Sequence, residues 1–395
     1  MKKRLLFSRL SQNLKGKEAL VITGMRQVGK TTLMRQVFDT VNSDTKLWFD
    51  FDNPLEQKTF EDIDYRNIYS RLKQMVNQSA ERIYVFIDEI QNFPEITKII
   101  KYLIDHYSVK FVVTGSSNYY LKNLFPESLS GRKFLYELSP LNFKEYLFFK
   151  DKISQEEANK TTIREMLKPV DIIRYKKFEQ DYQDYLQFGG FPEVVVTTNF
   201  DGRKQILKNI FSSFFEKDIK ILSDYKDIKE LRDLILLLAP RVGSMLDITK
   251  IASELAVARP KIYSYLELLQ GTFLIRLLPK FSRSLDRSIA GGKKIYFNDN
   301  GLLNTIGMIN SSQLLENSII NQLSFYGNLS FYNKRNTAEI DAILNKEYAL
   351  EVKQVGTDND LKGLRKISQL LGLKNSLVIS QSFVGRNGFI PALAI

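Results

Sequence analysis

The sequence predicts an α/β protein with an N-terminal parallel sheet, a helical middle and a smaller C-terminal α/β domain. Three observations support this fold class. Short apolar runs alternate with helical stretches over residues 1–150, aromatic and charged residues recur at helical spacing over 141–240, and two short strands flank a turn within 338–353. Strands that alternate with helices are typical of a parallel sheet covered by helices.

The composition excludes several classes of enzyme. The 395 residues include 57 Lys and Arg, 45 Asp and Glu, one His and no Cys, which gives a formal net charge of +12. A single imidazole, His106, and no thiol exclude a Cys nucleophile, disulfides and a zinc site of Cys and His ligands. Chemistry must therefore come from carboxylates, Lys, Arg, hydroxyls and backbone amides.

No targeting or membrane segment is apparent. The apolar stretch of MKKRLLFSRL is interrupted by Ser8 and Arg9, which argues against a secretory signal. No uncharged apolar run approaches the roughly 18 residues that a membrane helix needs. We therefore expect a cytoplasmic protein without a membrane partner.

Five apolar runs are the predicted strands of an N-terminal domain over residues 1–150. Short apolar runs bounded by turn residues are typical of strands that are buried on both faces. Helical stretches separate these runs, so we expect the strands to be parallel. The runs lie at residues 19–23, 45–51, 83–87, 110–114 and 133–138.

A phosphate-binding loop follows the first strand. Residues 24–31, GMRQVGKT, fit the pattern G-x-x-x-x-G-K-[ST] and precede a predicted helix. Backbone N–H groups of such a loop and of the helix N-terminus surround phosphate oxygens. We expect Lys30 to neutralise the β- and γ-phosphates of ATP and the Thr31 hydroxyl to bind Mg²⁺. The predicted ATP-binding residues of the loop are Gly24, Arg26, Gln27, Val28, Gly29, Lys30, Thr31 and Thr32.

Two later strand ends supply polar partners for this loop. Residues 83–90, IYVFIDEI, end in an acidic pair, in which we expect Asp88 to bind Mg²⁺ and Glu89 to polarise the attacking water. A neighbouring run is followed by Ser116 and Asn118, which are candidates for sensing the γ-phosphate. Capping of the next helix is the alternative for both.

A second module is predicted at residues 236–300, after a helical linker or lid at 151–235. Asp247 is a good N-cap for one helix, Arg259 and Pro260 begin a second helix, Gly271 ends it, and residues 272–278 have the pattern of a strand. This order resembles a winged helix-turn-helix. In the linker, FGGFPEVV at 188–195 interrupts a helix, and the sequence alone assigns it no role.

The module also concentrates positive charge. Residues 241–294 carry 10 basic and 4 acidic residues, which is half of the excess of the whole chain. A patch of this kind attracts polyanions, so we expect DNA as a partner. The alternatives are a solvated basic surface and a module that serves only for packing or oligomerisation. The predicted DNA contacts are Arg259, Lys261, Arg283, Arg287, Lys293 and Lys294.

The C-terminal domain, residues 301–395, carries a set of charged residues. A predicted helix at 312–325 places Glu316 in the middle of an apolar stripe, where a carboxylate needs a partner or a metal. Asp341 lies on one strand of a predicted hairpin, and Glu351 and Lys353 lie on one face of the other. The arrangement resembles that of PD-(D/E)XK nucleases.

That resemblance implies catalytic roles for all four residues. In such nucleases the carboxylates, here Asp341 and Glu351 above all, bind Mg²⁺, and the metal and the lysine activate a water. Two alternatives stay open. The residues form a charged hairpin face in which Lys353 balances two acids, or a nuclease fold is kept for structure or DNA binding without turnover.

The motifs together resemble a family of bacterial and archaeal ATPases with an AAA-type N-terminal domain, a winged helix and a nuclease-like C-terminal domain. They are GMRQVGKTT, IDEIQ, TGSSN, LSGR, GGFPE, EIDAIL and ALEVK. The resemblance implies ATP binding and hydrolysis on an AAA+ fold. Arg132 resembles the arginine that stabilises transition-state charge, in cis or from another copy in a homo-oligomer. A surface salt bridge is its alternative.

We therefore predict an Mg²⁺-dependent ATPase whose nucleotide state controls a DNA-binding, nuclease-like C-terminal half. The alternative is an ATP-driven signalling switch whose C-terminal domains bind a protein partner without nuclease activity. The binding of DNA as salt rises would separate the two, because phosphate contacts weaken steeply with salt.

Overall fold

The computed structural model describes residues 2–41, 43–76, 81–116, 131–219, 224–282, 291–307, 309–334 and 338–395. Two units are distinguished by their internal contacts. The first unit comprises Met1–Ser139 with Gly271–Phe273, and the second unit comprises Pro140–Gln270 with Leu274–Ile395.

The first unit is built on a parallel sheet. Its strands are β1 (Ala19–Thr23), β2 (Lys46–Asp50), β3 (Tyr84–Asp88), β4 (Lys110–Gly115) and β5 (Lys133–Glu137). Its helices are α1 (Leu6–Gln12), α2 (Lys30–Phe38), α3 (Pro54–Gln57), α4 (Tyr65–Met75) and α5 (Ile96–Tyr107). The five predicted strands are confirmed, with ends that differ by one residue at most.

The strand order β2-β3-β4-β1-β5 determines where polar residues meet. All neighbouring pairs are parallel, so the carboxyl ends of β1, β3 and β4 lie at the same edge of the sheet. Every residue of β1 and β4 is buried, which explains their continuous apolar runs. The prediction of an N-terminal parallel sheet is confirmed.

The rest of the chain contains more helix than strand. Its helices are α6 (Phe143–Phe149), α7 (Gln155–Ala158), α8 (Ile163–Met166), α9 (Ile172–Phe188), α10 (Pro192–Val196), α11 (Phe200–Ser213), α12 (Tyr225–Leu238), α13 (Ile248–Glu254), α14 (Arg259–Gly271), α15 (Asn300–Ile306), α16 (Ser311–Leu323) and α17 (Asp358–Leu371). Its strands are β6 (Ile275–Pro279), β7 (Lys293–Phe297), β8 (Leu329–Lys334), β9 (Ala338–Leu344), β10 (Tyr348–Lys353), β11 (Asn375–Ser380) and β12 (Phe389–Pro391).

A helix pair followed by a small antiparallel sheet occupies residues 245–297. The Asp247 side chain caps α13 by accepting a hydrogen bond from the backbone N–H of Lys250 at 3.0 Å. After α14, strand β6 pairs with β7, and Met245 forms an isolated antiparallel bridge to Lys294 of β7. The strand predicted to begin at residue 272 begins at Ile275, because Phe273 has a left-handed backbone with φ of 61°.

The C-terminal sheet has the order β12-β11-β10-β9-β8. Strands β8, β9 and β10 pair antiparallel, whereas β10, β11 and β12 pair parallel. The hairpin between β9 and β10 turns at Asn345 and Lys346, whose φ angles of 52° and 59° suit a two-residue turn. The predicted hairpin and its turn are present.

The structure explains the glycines of segment 188–195. Gly189 has φ of 72°, and a Cβ at this position would lie 2.3 Å from the carboxylate of Asp299. The backbone N–H of Gly190 donates to that carboxylate at 2.7 Å, and the N–H of Leu302 donates at 3.0 Å. Burial raises the pKa of Asp299 to about 6. The glycines therefore end α9 where a buried carboxylate caps α15.

Candidate functional site

Residues 24–31 form a loop between β1 and α2 at the carboxyl edge of the first sheet. Gly24 has φ of 149°, and a Cβ there would lie 2.2 Å from the carbonyl oxygen of Leu138. Gly29 is the left-handed residue before α2 with φ of 95°, and a Cβ on it would meet no atom within 4 Å. Backbone conformation therefore requires glycine at position 29, and open space lies beside the loop.

The Lys30 ammonium lies across this loop. Its side chain is 5% exposed, and Nζ donates to the carbonyl oxygens of Gly24 at 2.8 Å and Met25 at 2.9 Å. Lys30 is also the first residue of α2, whose N-terminus carries partial positive charge. A cationic side chain and the N-terminus of a helix at one position suit a phosphate.

Thr114, on β4, connects the acidic pair that follows β3. Its hydroxyl donates to Asp88 Oδ1, and its Oγ1 accepts a hydrogen bond from the backbone N–H of Glu89 at 3.2 Å. Asp88 is 5% exposed and Thr114 is fully buried. One hydroxyl therefore orients both acidic residues.

The Glu89 carboxylate has a separate support. Glu89 adopts a left-handed backbone with φ of 54°, which is uncommon for a residue with a side chain. Its carboxylate accepts a hydrogen bond from the side-chain amide of Gln91, and the same nitrogen donates to Ser116 Oγ at 3.3 Å. The buried Gln91 Oε1 finds no protein partner among the described residues. Asn118 lies outside the described residues.

The donor set at this edge fits Mg²⁺ and a nucleotide phosphate chain. The Thr31 hydroxyl and the Asp88 carboxylate are hard oxygen ligands of the kind that Mg²⁺ prefers. The open space beside Gly29 adjoins the N-terminus of α2, where the N–H groups of a helix can bind a phosphate. Thr31 and Asp88 are therefore the residues that would hold the ion.

Sequence reasoning missed three residues that support this site. Thr114 lies in a fully buried strand, where a hydroxyl needs a partner, and Gln91 lies two residues after Glu89. Arg4 is 6% exposed and donates to the carbonyl oxygens of Val28 at 2.9 Å and Ser139 at 2.7 Å. No local motif indicates Arg4, because both of its partners are distant in sequence.

The prediction that Arg132 stabilises charge in the nucleotide site of its own chain is wrong. The Arg132 carbonyl accepts a hydrogen bond from the backbone N–H of Ala19, so Arg132 lies at the amino end of β1. The loop at residues 24–31 follows the carboxyl end of the same strand. The Arg132 side chain forms an ion pair with Asp105 at 2.6 Å, which is the surface salt bridge considered as its alternative. Action of Arg132 from a second copy in a homo-oligomer stays a prediction.

The predicted DNA-contacting residues do not share one environment. Arg259 and Lys293 are exposed. Lys261 forms ion pairs with Asp227 at 2.6 Å and Glu230 at 2.5 Å, and these partners raise its pKa. Two further predicted DNA contacts, Arg283 and Arg287, lie outside the described part of the chain.

The prediction that Lys294, the sixth of these residues, contacts DNA is wrong. Its side chain is 4% exposed and forms ion pairs with the carboxylates of Glu316, Glu339 and Asp341. Alternation along β7 explains the difference from Lys293, because successive side chains of a strand lie on opposite sides. Lys294 is therefore not available to a phosphate backbone.

The four predicted nuclease-like residues, Glu316, Asp341, Glu351 and Lys353, lie in one place. Glu339, Lys294 and Tyr296 join them, and we call these seven residues the carboxylate cluster. Asp341 accepts a hydrogen bond from the backbone N–H of Val352 at 2.9 Å, and Lys353 donates to Glu351 at 2.7 Å. Burial, followed by repulsion from Asp341, raises the pKa values of Glu316 and Glu351 to about 7.

The cluster does not fit the predicted Mg²⁺ site. Over the described ranges, no group of three or more His, Cys, Asp or Glu residues is arranged to hold a metal ion. The buried Lys294 ammonium lies within 4.0 Å of Asp341, on which the predicted metal site depends. This arrangement therefore does not support metal binding by Asp341 and Glu351.

Comparison with known families agrees with the geometry of the first unit. Residues 16–147 match the family model described as AAA domain. The matched residues begin before β1 and end after β5. Residues 179–313 match a domain of unknown function, which spans the described helices α10 to α15. In the part of the chain that the structure describes, no helix is long and apolar enough to cross a bilayer.

Several curated proteins are similar to this chain. An uncharacterized protein of Haemophilus influenzae is 29% identical over 292 residues, which cover 71% of this chain and 67% of that protein. An uncharacterized protein of Methanocaldococcus jannaschii is 29% identical over 267 residues, 66% of this chain and 56% of that protein. The chain thus spans little more than half of the archaeal relative.

Solved structures give weaker likenesses. The Aeropyrum pernix Orc1 protein, solved in complex with DNA, has a TM-score of 0.31 and 12% identity, covering 76% of this chain and 90% of that one. A RuvB variant of Thermotoga maritima has a TM-score of 0.31 and 17% identity, covering 69% of this chain and 89% of that one.

Proposed function

We propose that the first unit hydrolyses ATP in the presence of Mg²⁺ and that nucleotide state controls the second unit. The observation that carries the proposal is that Lys30, Asp88 and Glu89 all lie at or after the carboxyl ends of β1 and β3, at one edge of the sheet. Thr114 joins the two acids, and Gln91 joins Glu89 to Ser116. The AAA domain supports the same activity.

Each residue has a distinct part in this reaction. The loop N–H groups and Lys30 hold the phosphate chain and neutralise its charge. Glu89, oriented by Thr114 and Gln91, polarises the attacking water. Ser116 lies one hydrogen bond from the amide that holds Glu89, so it is placed to report a change at the γ-phosphate. Thr31 and Asp88 would hold Mg²⁺, which supplies positive charge at the phosphates.

Steady-state ATPase measurements test the first part. We expect Lys30→Ala to lose nucleotide binding and hydrolysis, and Glu89→Gln to keep binding but lower kcat by about 100-fold or more. Binding of a fluorescent ATP analogue separates the two effects. Hydrolysis by Glu89→Gln at the wild-type rate would remove Glu89 from the mechanism. Lys229→Ala, an exposed lysine of α12, serves as the charge-matched control.

For the second unit we propose contact with DNA through α14 and the strands that follow it. The order α13, α14, β6 and β7 resembles that of a winged helix-turn-helix, and Arg259 and Lys293 are exposed on it. The expected result is stimulation of ATPase activity by plasmid DNA and binding that weakens as salt rises. ATP hydrolysis that neither responds to DNA nor accompanies DNA binding would reject this half alone.

A second candidate function follows from the two predicted DNA-contacting lysines that pair with acidic residues. Lys261 and Lys294 have acidic partners, so fewer positive charges face solvent on this module than the sequence suggests. Tyr263 is 60% exposed on α14, on which it lies two residues from Lys261. These features favour an ATP-driven switch whose second unit binds a protein partner. Absence of DNA binding at low salt, together with intact ATPase activity, would select it.

A further inference from the structure

Strand β7 turns two polar side chains toward the same helix. Lys294 and Tyr296 are two residues apart, so they lie on one side of the strand. The Tyr296 hydroxyl donates to Glu316 Oε1 at 2.6 Å, and Lys294 Nζ lies 3.7 Å from the same oxygen. Glu316 on α16 is thereby held by both residues.

The Lys294 ammonium reaches a second element as well. It lies 2.6 Å from Glu339 Oε1 and 4.0 Å from Asp341 Oδ1, both on β9. Carboxylates from two separate elements therefore share one buried positive charge. Burial lowers the pKa of Lys294, but the three carboxylates outweigh this effect and raise it above the ordinary value. Lys294 is charged in this position.

The far side of the cluster has its own ammonium. Lys353 Nζ lies 2.7 Å from Glu351 Oε1 on the same strand. Both lysines act electrostatically on Asp341, and its second oxygen already accepts the Val352 N–H at 2.9 Å. A divalent cation bound to Asp341 would approach Lys294 closely, and two like charges about 4 Å apart repel strongly where water is excluded.

We propose that Lys294 takes the place of a divalent cation in the carboxylate cluster, so that this cluster binds no Mg²⁺ and cleaves no phosphodiester. The cluster instead joins β7, α16 and β9 through one internal ammonium. This proposal goes beyond the ATPase of the first unit and does not depend on it. Its chemistry concerns only residues of the second unit.

Calorimetric titration with Mn²⁺ tests the proposal. All the proteins titrated carry Asp88→Asn, which removes the proposed cation site of the first unit. We expect this background to bind no Mn²⁺ at the cluster. Adding Lys294→Gln should create a Mn²⁺ site at the cluster, with an affinity at least about tenfold above the weakest binding that the titration detects, because a nearby positive charge is removed. A further Asp341→Asn substitution should abolish that site.

Matched variants keep the result interpretable. Lys293→Gln, the exposed neighbour on β7, should create no Mn²⁺ site. Lys294→Arg, which keeps the charge, should behave as the background does. Circular dichroism establishes that each variant is folded. If Lys294→Gln fails to fold, Lys294→Met is titrated in its place.

Two outcomes would overturn the proposal. One is Mn²⁺ binding by the Asp88→Asn background that Asp341→Asn abolishes, since cation and ammonium would then coexist. The other is a folded Lys294 variant that binds no Mn²⁺, since Lys294 would then occupy no cation position. Neither result bears on ATP hydrolysis, which is measured on the wild-type chain. Failure of the ATPase proposal is therefore distinguishable from failure of this one.

Discussion

Thr114 is the residue on which the geometry of the acidic pair depends. Its hydroxyl hydrogen donates to Asp88, and its oxygen accepts from the backbone of Glu89. Glu89 has an uncommon left-handed backbone, so the hydrogen bond from its N–H helps to hold a conformation that is otherwise costly. Thr114 is a positioning residue, because it contacts the acids rather than the nucleotide.

Removal of this hydroxyl should slow hydrolysis more than it weakens binding. For Thr114→Val we expect kcat to fall by about 10- to 100-fold, as is common when a group that orients a catalytic residue is lost. KM for ATP should change little, because the phosphate loop is unaltered. Thr114→Ser, which keeps the hydroxyl, should restore most of the rate. An equal rise in KM for both variants would instead indicate a general distortion of β4.

In segment 188–195, as at Thr114, one buried polar side chain holds two parts of the backbone in place. Helix α9 ends at Phe188, and the two glycines that follow leave room for the Asp299 carboxylate at the start of α15. The carboxylate is 4% exposed and accepts backbone N–H groups from both places. The segment is therefore part of the framework of the second unit.

A methyl group at Gly189 should destabilise this framework. The Cβ of Gly189→Ala would meet the Asp299 carboxylate at 2.3 Å, and φ is 72°. We expect a loss of about 2 kcal/mol from strain and displacement. Gly363→Ala is the matched control, because its Cβ in α17 meets no atom within 4 Å. That control should gain about 0.5 to 1 kcal/mol. Thermal unfolding of both variants measures the difference.

Helices, strands and loops could be predicted from the sequence where a local pattern of residues determines them. The buried strands have apolar runs, and the phosphate loop has a spacing that only one backbone conformation satisfies. Thr114, Gln91 and Lys294 were assigned no such roles, because their partners depend on which strands lie side by side. Phe273 delays β6 through a left-handed backbone, for which an aromatic residue gives no signal.

The net charge of the whole molecule overstates the positive charge that a polyanion would meet. The chain carries +12, and half of this excess lies in residues 241–294. Within that segment, however, Lys261 and Lys294 are paired with acids that lie outside it. Charge counting along the sequence does not register such pairs, because they form only on folding.

Two alanine variants separate paired from unpaired charge. If DNA binds the second unit, Arg259→Ala should weaken binding and lower the slope of log K against log salt by about 1. Lys261→Ala should change that slope little, because Asp227 and Glu230 already neutralise the ammonium. The measurement is fluorescence anisotropy across a salt series. Equal slopes for Arg259→Ala and the wild-type chain would show that Arg259 contacts no phosphate.

The adjacent lysines of β7 also bear on how this strand selects its register. A shift by one residue would bring Lys293 to the inner position of Lys294, so an ammonium would still face the carboxylates. The same shift would replace Tyr296 by Ile295 beside Glu316, and the 2.6 Å hydrogen bond would be lost. The two lysines therefore do not favour either register. The hydrogen bond of the Tyr296 phenol favours the native register over the one shifted by a residue.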